Sequence, residues 1–135
     1  MNRPSRQTNR IPVRIPVTIL PKERQHHNLD GEVLNISIDG AFIVTKAPIS
    51  VGQEVLVKLQ FADAKILEAK VTEISKEISG LVPDNHAERT VVRWNSENMK
   101  TGYGVQFIGL REDTRHFLES LIRYYENLSK VGVNF

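Results

Sequence analysis

The dominant pattern along the chain is alternation of apolar and polar residues with a period of two, the signature of half-buried strands. Val13, Ile15, Val17 and Ile19 share one face of a first strand, and Pro16 within it predicts an edge position. A second strand reads "LDGEVLNIS" over 29–37, turns near Asp39-Gly40 and returns as "AFIVT". After the turn-like "APISVG", the stretch "QEVLVKLQF" sets Val55, Val57, Leu59 and Phe61 on one side. "ADAK" then reads as a short hairpin link into a strand "ILEAKVTEIS". Residues 79–88 form a polar loop, followed by "RTVVRWN" and by "GYGVQFIGL", in which Tyr103, Val105 and Phe107 alternate.

Only the end of the chain has helical spacing. In "REDTRHFLESLIRYYENLSK", Phe117, Leu118, Leu121, Ile122, Tyr125 and Leu128 make one apolar stripe, which predicts a helix over about 111–129. Glu112 and Asp113 sit where the positive end of its dipole favours anions. Many short strands and one helix predict a mainly β fold: an antiparallel six- or seven-stranded β-barrel, with the C-terminal α-helix plugging or covering the sheet. Residues 1–10 have almost nothing to bury and are expected to form a flexible N-terminal arm; residues 11–130 hold the barrel and helix.

Length and composition narrow the class. The 135 residues suffice for one domain with a real core, and no apolar run approaches the ~20 residues of a membrane span. The polar, arginine-bearing start predicts no secretory signal, and zero cysteines exclude disulfides and thiolate chemistry. The expectation is a cytoplasmic protein without membrane insertion. Formal net charge is +2, unevenly spread. Residues 1–24 carry six cations against one anion, and the remainder twelve against fifteen. A cationic leading segment on a mildly acidic body points to a local anionic partner.

Catalytic chemistry is poorly represented. His26 and His27 are adjacent, so in a strand they point to opposite faces; His86 and His116 are distant and read as ordinary exposed side chains. No HExxH or nucleophile-elbow pattern occurs, so neither an enzyme nor a metal centre is expected. Gly102 and Gly104 lack the third glycine and following helix of a dinucleotide fingerprint, and read as sites of strand bending or close packing. "NIS" at 35–37 is a chance match to a glycosylation acceptor.

Two groups retain chemical interest. In Arg6-Gln7-Thr8-Asn9-Arg10, two always-charged planar guanidinium groups can grip phosphate or the O6/N7 edge of guanine and stack on purines. Extended chain places them on one side, roughly 13 Å apart. In Asn35-Ile36-Ser37-Ile38-Asp39-Gly40, alternation puts Asn35 and Ser37 outward and Ile36 and Ile38 on the other face. A polar pair ending at a glycine can offer amide, hydroxyl and bare backbone to a flat ligand.

In this order the two groups resemble the PilZ domain, the bacterial receptor domain for cyclic di-GMP. That family shows RxxxR just before its first barrel strand and [D/N]xSxxG further along; here Arg10 and Asn35 are 25 positions apart. "RIPVRIPVTI" is similar to the family's entry strand, and "GYGVQFIGL" to its late Gly-x-x-Phe strand before a terminal helix. The resemblance covers about residues 6–128. Arg10 and Arg14 form a second RxxxR, but Arg14 would already lie inside the strand, so Arg6 and Arg10 are preferred.

The resemblance implies a ligand, cyclic di-GMP, bound by Arg6, Arg10, Asn35, Ser37 and Gly40, with Arg14 and Asp39 as further contacts and no other cofactor. It implies a receptor or adaptor that signals to an unidentified protein effector in motility or biofilm control, through an arm ordered over the ligand. One alternative is a PilZ-type adaptor in type IV pilus assembly that binds no ligand. Another is a small-barrel binder of RNA or single-stranded DNA. The leading segment offers no Phe, Tyr or Trp for base stacking, so DNA and RNA are not expected partners.

Overall fold

The first strand sets the architecture, because it is long enough to be paired along both sides. A computed structural model of the chain describes residues 10–21, 29–96 and 102–130. The longer strands are β1 (Ile11–Pro21), β2 (Leu29–Ile36), β3 (Gly40–Thr45) and β4 (Glu54–Leu59). Two short strands, β5 (Lys65–Ile66) and β6 (Ala69–Lys70), precede β7 (Ala87–Ser96) and β8 (Gly102–Phe107). The helices are α1 (Val71–Ile74), α2 (Lys76–Ser79) and α3 (Glu112–Lys130).

β1 pairs antiparallel with β2 from Ile11↔Ile36 to Ile19↔Leu29, and with β4 from Val17↔Leu59 to Pro21↔Val55. The ring β1-β2-β3-β8-β7-β4 therefore closes on itself as an antiparallel barrel of six strands, the lower of the two expected numbers. Closure removes exposed sheet edges. The β5–β6 hairpin attaches outside the ring, where Arg14 pairs with Lys65.

Inward positions follow the alternation. Ile11, Val13, Ile15, Val17 and Ile19 are buried, as are Val33, Ile36, Ile43, Val55, Val57, Leu59 and Val105. Each such side chain contributes about 1.5–3 kcal/mol by leaving water. Phe117, Leu118 and Leu121 of α3 are fully buried in the same cluster, and Phe117 meets Phe61 with ring centroids 4.9 Å apart. The helix covers the barrel, as its stripe predicted.

Two expectations need correction. Pro16 does not mark an edge strand. Its carbonyl accepts from the Gln60 amide just beyond β4 (2.9 Å), so its missing N–H faces the same side. The Gln60 carbonyl opposite accepts instead from Asp63 N, 3.0 Å away, so the ladder needs no donor there. Second, "ILEAKVTEIS" is not one strand. The hairpin turns through Leu67, with φ of 58°, and the chain then coils into α1 and α2. Val71, Ile74 and Ile78 fall at helical spacing, and the Ser75 hydroxyl caps α2 by accepting from Ile78 N at 3.2 Å.

Candidate functional site

Arg10, the described residue of the first motif, meets the second motif at one end of the β1–β2 pair. Antiparallel pairing sets Ile11 opposite Ile36 and Pro12 opposite Asn35, so the residue before β1 lies beside the last turn of β2. Arg10 Nη1 donates to Asn35 Oδ1 at 2.9 Å, in a partly buried contact. Arg6 and the rest of the expected arm lie outside the described residues. Arg14 falls inside β1 on the outer face, where its Nε donates to Glu32 at 3.1 Å.

Asn35 owes its outward aim to a break in alternation. Val33, two residues earlier, is fully buried, and strict alternation would send Asn35 inward with it. The β2–β3 register slips between Val33↔Ile43 and Asn35↔Phe42, so Leu34 is an extra residue. This bulge rotates Asn35 outward and Ile36 into the core.

Ser37 departs from the expected outward pair. It is 1% exposed, and its hydroxyl accepts from Asp39 N at 3.1 Å and Gly40 N at 3.3 Å. Its own N–H donates to the Gly40 carbonyl at 2.9 Å. Ser37 therefore ties together the turn from β2 to β3. Asp39, exposed in that turn, gives its carbonyl to Phe107 N at 2.8 Å, anchoring it to β8. Gly40 is required by the sheet, since a Cβ there would fall on the Val105 carbonyl oxygen. The space it vacates is filled by β8.

Two aromatic residues that the motifs do not include extend the same outer row. Phe42 pairs with Asn35 on one side and with Gly104 on the other, and Gly104 pairs with Trp94. Phe42 and Trp94 stack, with centroids 5.5 Å apart and planes at 25°. A Cβ on Gly102 would strike the Phe42 ring and one on Gly104 the Trp94 indole, so both glycines serve close packing. Two glycines two apart leave a bare outer strip on β8, and that was the sequence signal for covering side chains.

Elsewhere, His86 is not an ordinary exposed side chain. Its Nε2 lies 2.6 Å from Glu88 Oε2 and 3.2 Å from Thr114 Oγ1, beneath the start of α3. His26 and His27 lie outside the described residues. Among the described residues no three His, Asp or Glu side chains gather to hold a metal ion, and no helix is long and apolar enough to cross a membrane.

The family model for the PilZ domain matches residues 4–124. The chain belongs to the PilZ domain family. No curated protein shows significant sequence similarity to it. Among solved structures it is similar to the Inhibitor of motility (MotI/DgrA) from Bacillus subtilis, with a TM-score of 0.61 and 17% identity over 92% of this chain. The match covers 53% of that protein, so the chain spans about half its length. The PilZ domain of YcgR from Escherichia coli, solved with c-di-GMP, gives 0.60 and 11% identity, covering 93% of this chain and 96% of that one. The PilZ domain of CeSA from a cellulose-synthesizing bacterium gives 0.51 and 14%, over 87% and 98%. At these identities the likeness is one of fold.

Proposed function

We propose that this PilZ domain is a receptor for cyclic di-GMP that performs no chemistry of its own. The observation that carries the reading is the Arg10–Asn35 hydrogen bond, which joins the two recognition groups into one surface patch. Cyclic di-GMP presents two phosphates and two guanines, and a guanidinium can engage either with paired donors. Asn35 holds Arg10 against the strand, which sets the guanidinium at the barrel surface. Arg6 would supply the second guanidinium from the arm.

The remaining motif residues act through shape. Ser37 and Gly40 hold the β2–β3 turn in place, and Asp39 presents its exposed side chain from it. Arg14, paired with Glu32, adds little field of its own. If the arm is free before binding, ordering about eight of its residues costs roughly 1 kcal/mol or more each. Two bidentate arginines return about 1–3 kcal/mol apiece. Strand-borne contacts therefore have to supply the balance, which couples arm ordering to a correctly formed barrel face. That coupling is the signal: a partner protein reads the changed arm and barrel surface.

Isothermal calorimetry of the purified chain with cyclic di-GMP tests this. The expected result is saturable heat of fixed stoichiometry, with only mild dependence on salt; a nonspecific nucleic-acid binder would lose affinity steeply as salt rises. Absence of heat at micromolar protein would sink the reading.

A further inference from the structure

Outside the ring, the β5–β6 hairpin carries two features that the barrel does not require. The first is charge. Arg14 of β1 lies directly opposite Lys65 of β5, and Lys65 directly opposite Lys70 of β6. Cross-strand partners share a face, so three cations stand in one row roughly 10 Å long. Lys70 is exposed and Lys65 partly so. Glu32 takes up Arg14 at 3.1 Å, but among the described residues neither lysine is in an ion pair. Like charges set directly opposite each other destabilise a sheet.

The second feature is the tip. Only Leu67 and Glu68 separate the paired residues Ile66 and Ala69, so they are the central residues of a tight turn. Leu67 takes a φ of 58°, where a Cβ crowds the following carbonyl and glycine is the usual occupant. Its side chain is nonetheless 38% exposed, whereas Ile66 beside it is buried in the core. A leucine that is strained and partly in water does little for the fold.

We infer that the β5–β6 hairpin is a docking element for an acidic segment of a partner protein. Carboxylates of that segment would meet Lys65 and Lys70, and an apolar side chain would meet Leu67. Glu68, exposed beside Leu67, repels an anion placed at the tip and so helps fix the register of the segment. An anionic membrane fits less well, because lipid-binding clusters hold about 4–8 basic residues. The inference rests on the receptor reading for what docking reports. The hairpin joins β1 at Arg14, four residues beyond Arg10, so ligand and partner would meet the same strand.

A synthetic peptide of repeated Glu-Glu-Leu units, titrated into the full chain and followed by amide NMR, tests the surface. Saturable shifts should centre on residues 65–70. Changing Lys65 and Lys70 together to Glu should weaken binding roughly tenfold or more, and Leu67→Gly about fivefold. Melting temperature supplies a second reading, since residues kept for a partner are dispensable in the isolated chain. Lys70→Glu should raise it by about 1–4 °C by replacing repulsion from Lys65 with attraction. Leu67→Gly should not lower it. A drop of more than about 4 °C in either variant would show that these residues serve the barrel, and would overturn the inference. So would absence of peptide binding, peptide binding that survives both lysine changes, or a preference for phosphatidylserine vesicles over the peptide. Cyclic di-GMP heat without peptide binding would remove the hairpin inference alone. Peptide binding without cyclic di-GMP heat would keep the docking surface and remove the receptor reading.

Discussion

Arg10 and Asn35, 25 positions apart in sequence, are held together by a 2.9 Å hydrogen bond from guanidinium to side-chain amide oxygen. The contact joins the residue just before β1 to the residue that a bulge has turned out of β2. At the proposed ligand site each would therefore act directly and through the other. Arg10→Ala should cost about 1–3 kcal/mol of cyclic di-GMP affinity, and Asn35→Ala a similar amount. Because the two share one contact, the double variant should lose less than the two single losses added. A calorimetric double-mutant cycle measures this directly. Strict additivity would mean that Arg10 and Asn35 meet the ligand independently.

Ser37 and Gly40 should behave differently from Arg10. Replacing Ser37 with alanine takes the acceptor from two turn amides, those of Asp39 and Gly40. Unmet donors of this kind cost about 1–3 kcal/mol. Urea titration should show that loss before any ligand is added, and Asp39 and Gly40 amides should exchange faster with solvent. Gly40→Ala should destabilise at least as much, by driving a methyl group onto the Val105 carbonyl. If Ser37→Ala unfolds like the parent yet fails to bind, the hydroxyl is a direct ligand contact and the turn role is wrong.

How much of this was legible in the sequence depended on whether alternation ran unbroken. It did through β1, from Ile11 to Ile19, and so the entry strand, its core face and the position of Arg10 just ahead of it could be read off. Two-residue periodicity cannot register an inserted residue, however. The bulges at Leu34 and Arg93 each reverse the facing of everything beyond them. The outward aim of Trp94 was hidden for that reason. The burial of Ser37 was hidden for another: alternation describes a strand, and at Ser37 the chain has already begun to turn. In 66–75, the three-residue spacing from Val71 to Ile74 was embedded in a segment rich in strand formers, and the single turn of α1 read as a strand.

His86 links the loop before β7 to the start of α3, and its ring geometry dictates a proton count. Nδ1 lies 2.9 Å from the Asp84 carbonyl, which can only accept, so Nδ1 carries a hydrogen. The 2.6 Å contact between Nε2 and Glu88 then requires one proton shared by ring and carboxyl. The Glu88 side chain is 4% exposed and that of His86 15%, so neither has water as an easy substitute. His86→Ala should therefore destabilise by about 3 kcal/mol, since a buried acid is left without its partner. Glu88→Gln keeps a hydrogen bond to the ring and should lose less. Urea unfolding followed by far-UV circular dichroism reads both. A His86→Ala loss below about 0.5 kcal/mol, the range of ordinary surface changes, would show that the cluster does not hold the helix.

Asp113 supplies a pH dependence at an exposed position. Its carboxylate accepts from Arg111 Nη2 at 2.6 Å and Nε at 3.1 Å, and from Thr114 N at 2.8 Å. Chiefly the Arg111 hydrogen bonds hold its pKa below the ordinary carboxylate value. A depressed value in the folded state means that the unfolded chain binds the proton more readily. The stabilisation is thus complete above the unfolded value, about 4, and disappears as pH falls through the lower folded value. Asp113→Asn removes the charge and keeps a side-chain oxygen able to accept from Thr114 N. The parent should melt above this variant at neutral pH, and the gap should close as the pH is taken down to about 2. A gap that persists unchanged in acid would place the contribution of Asp113 in local packing and not in its charge.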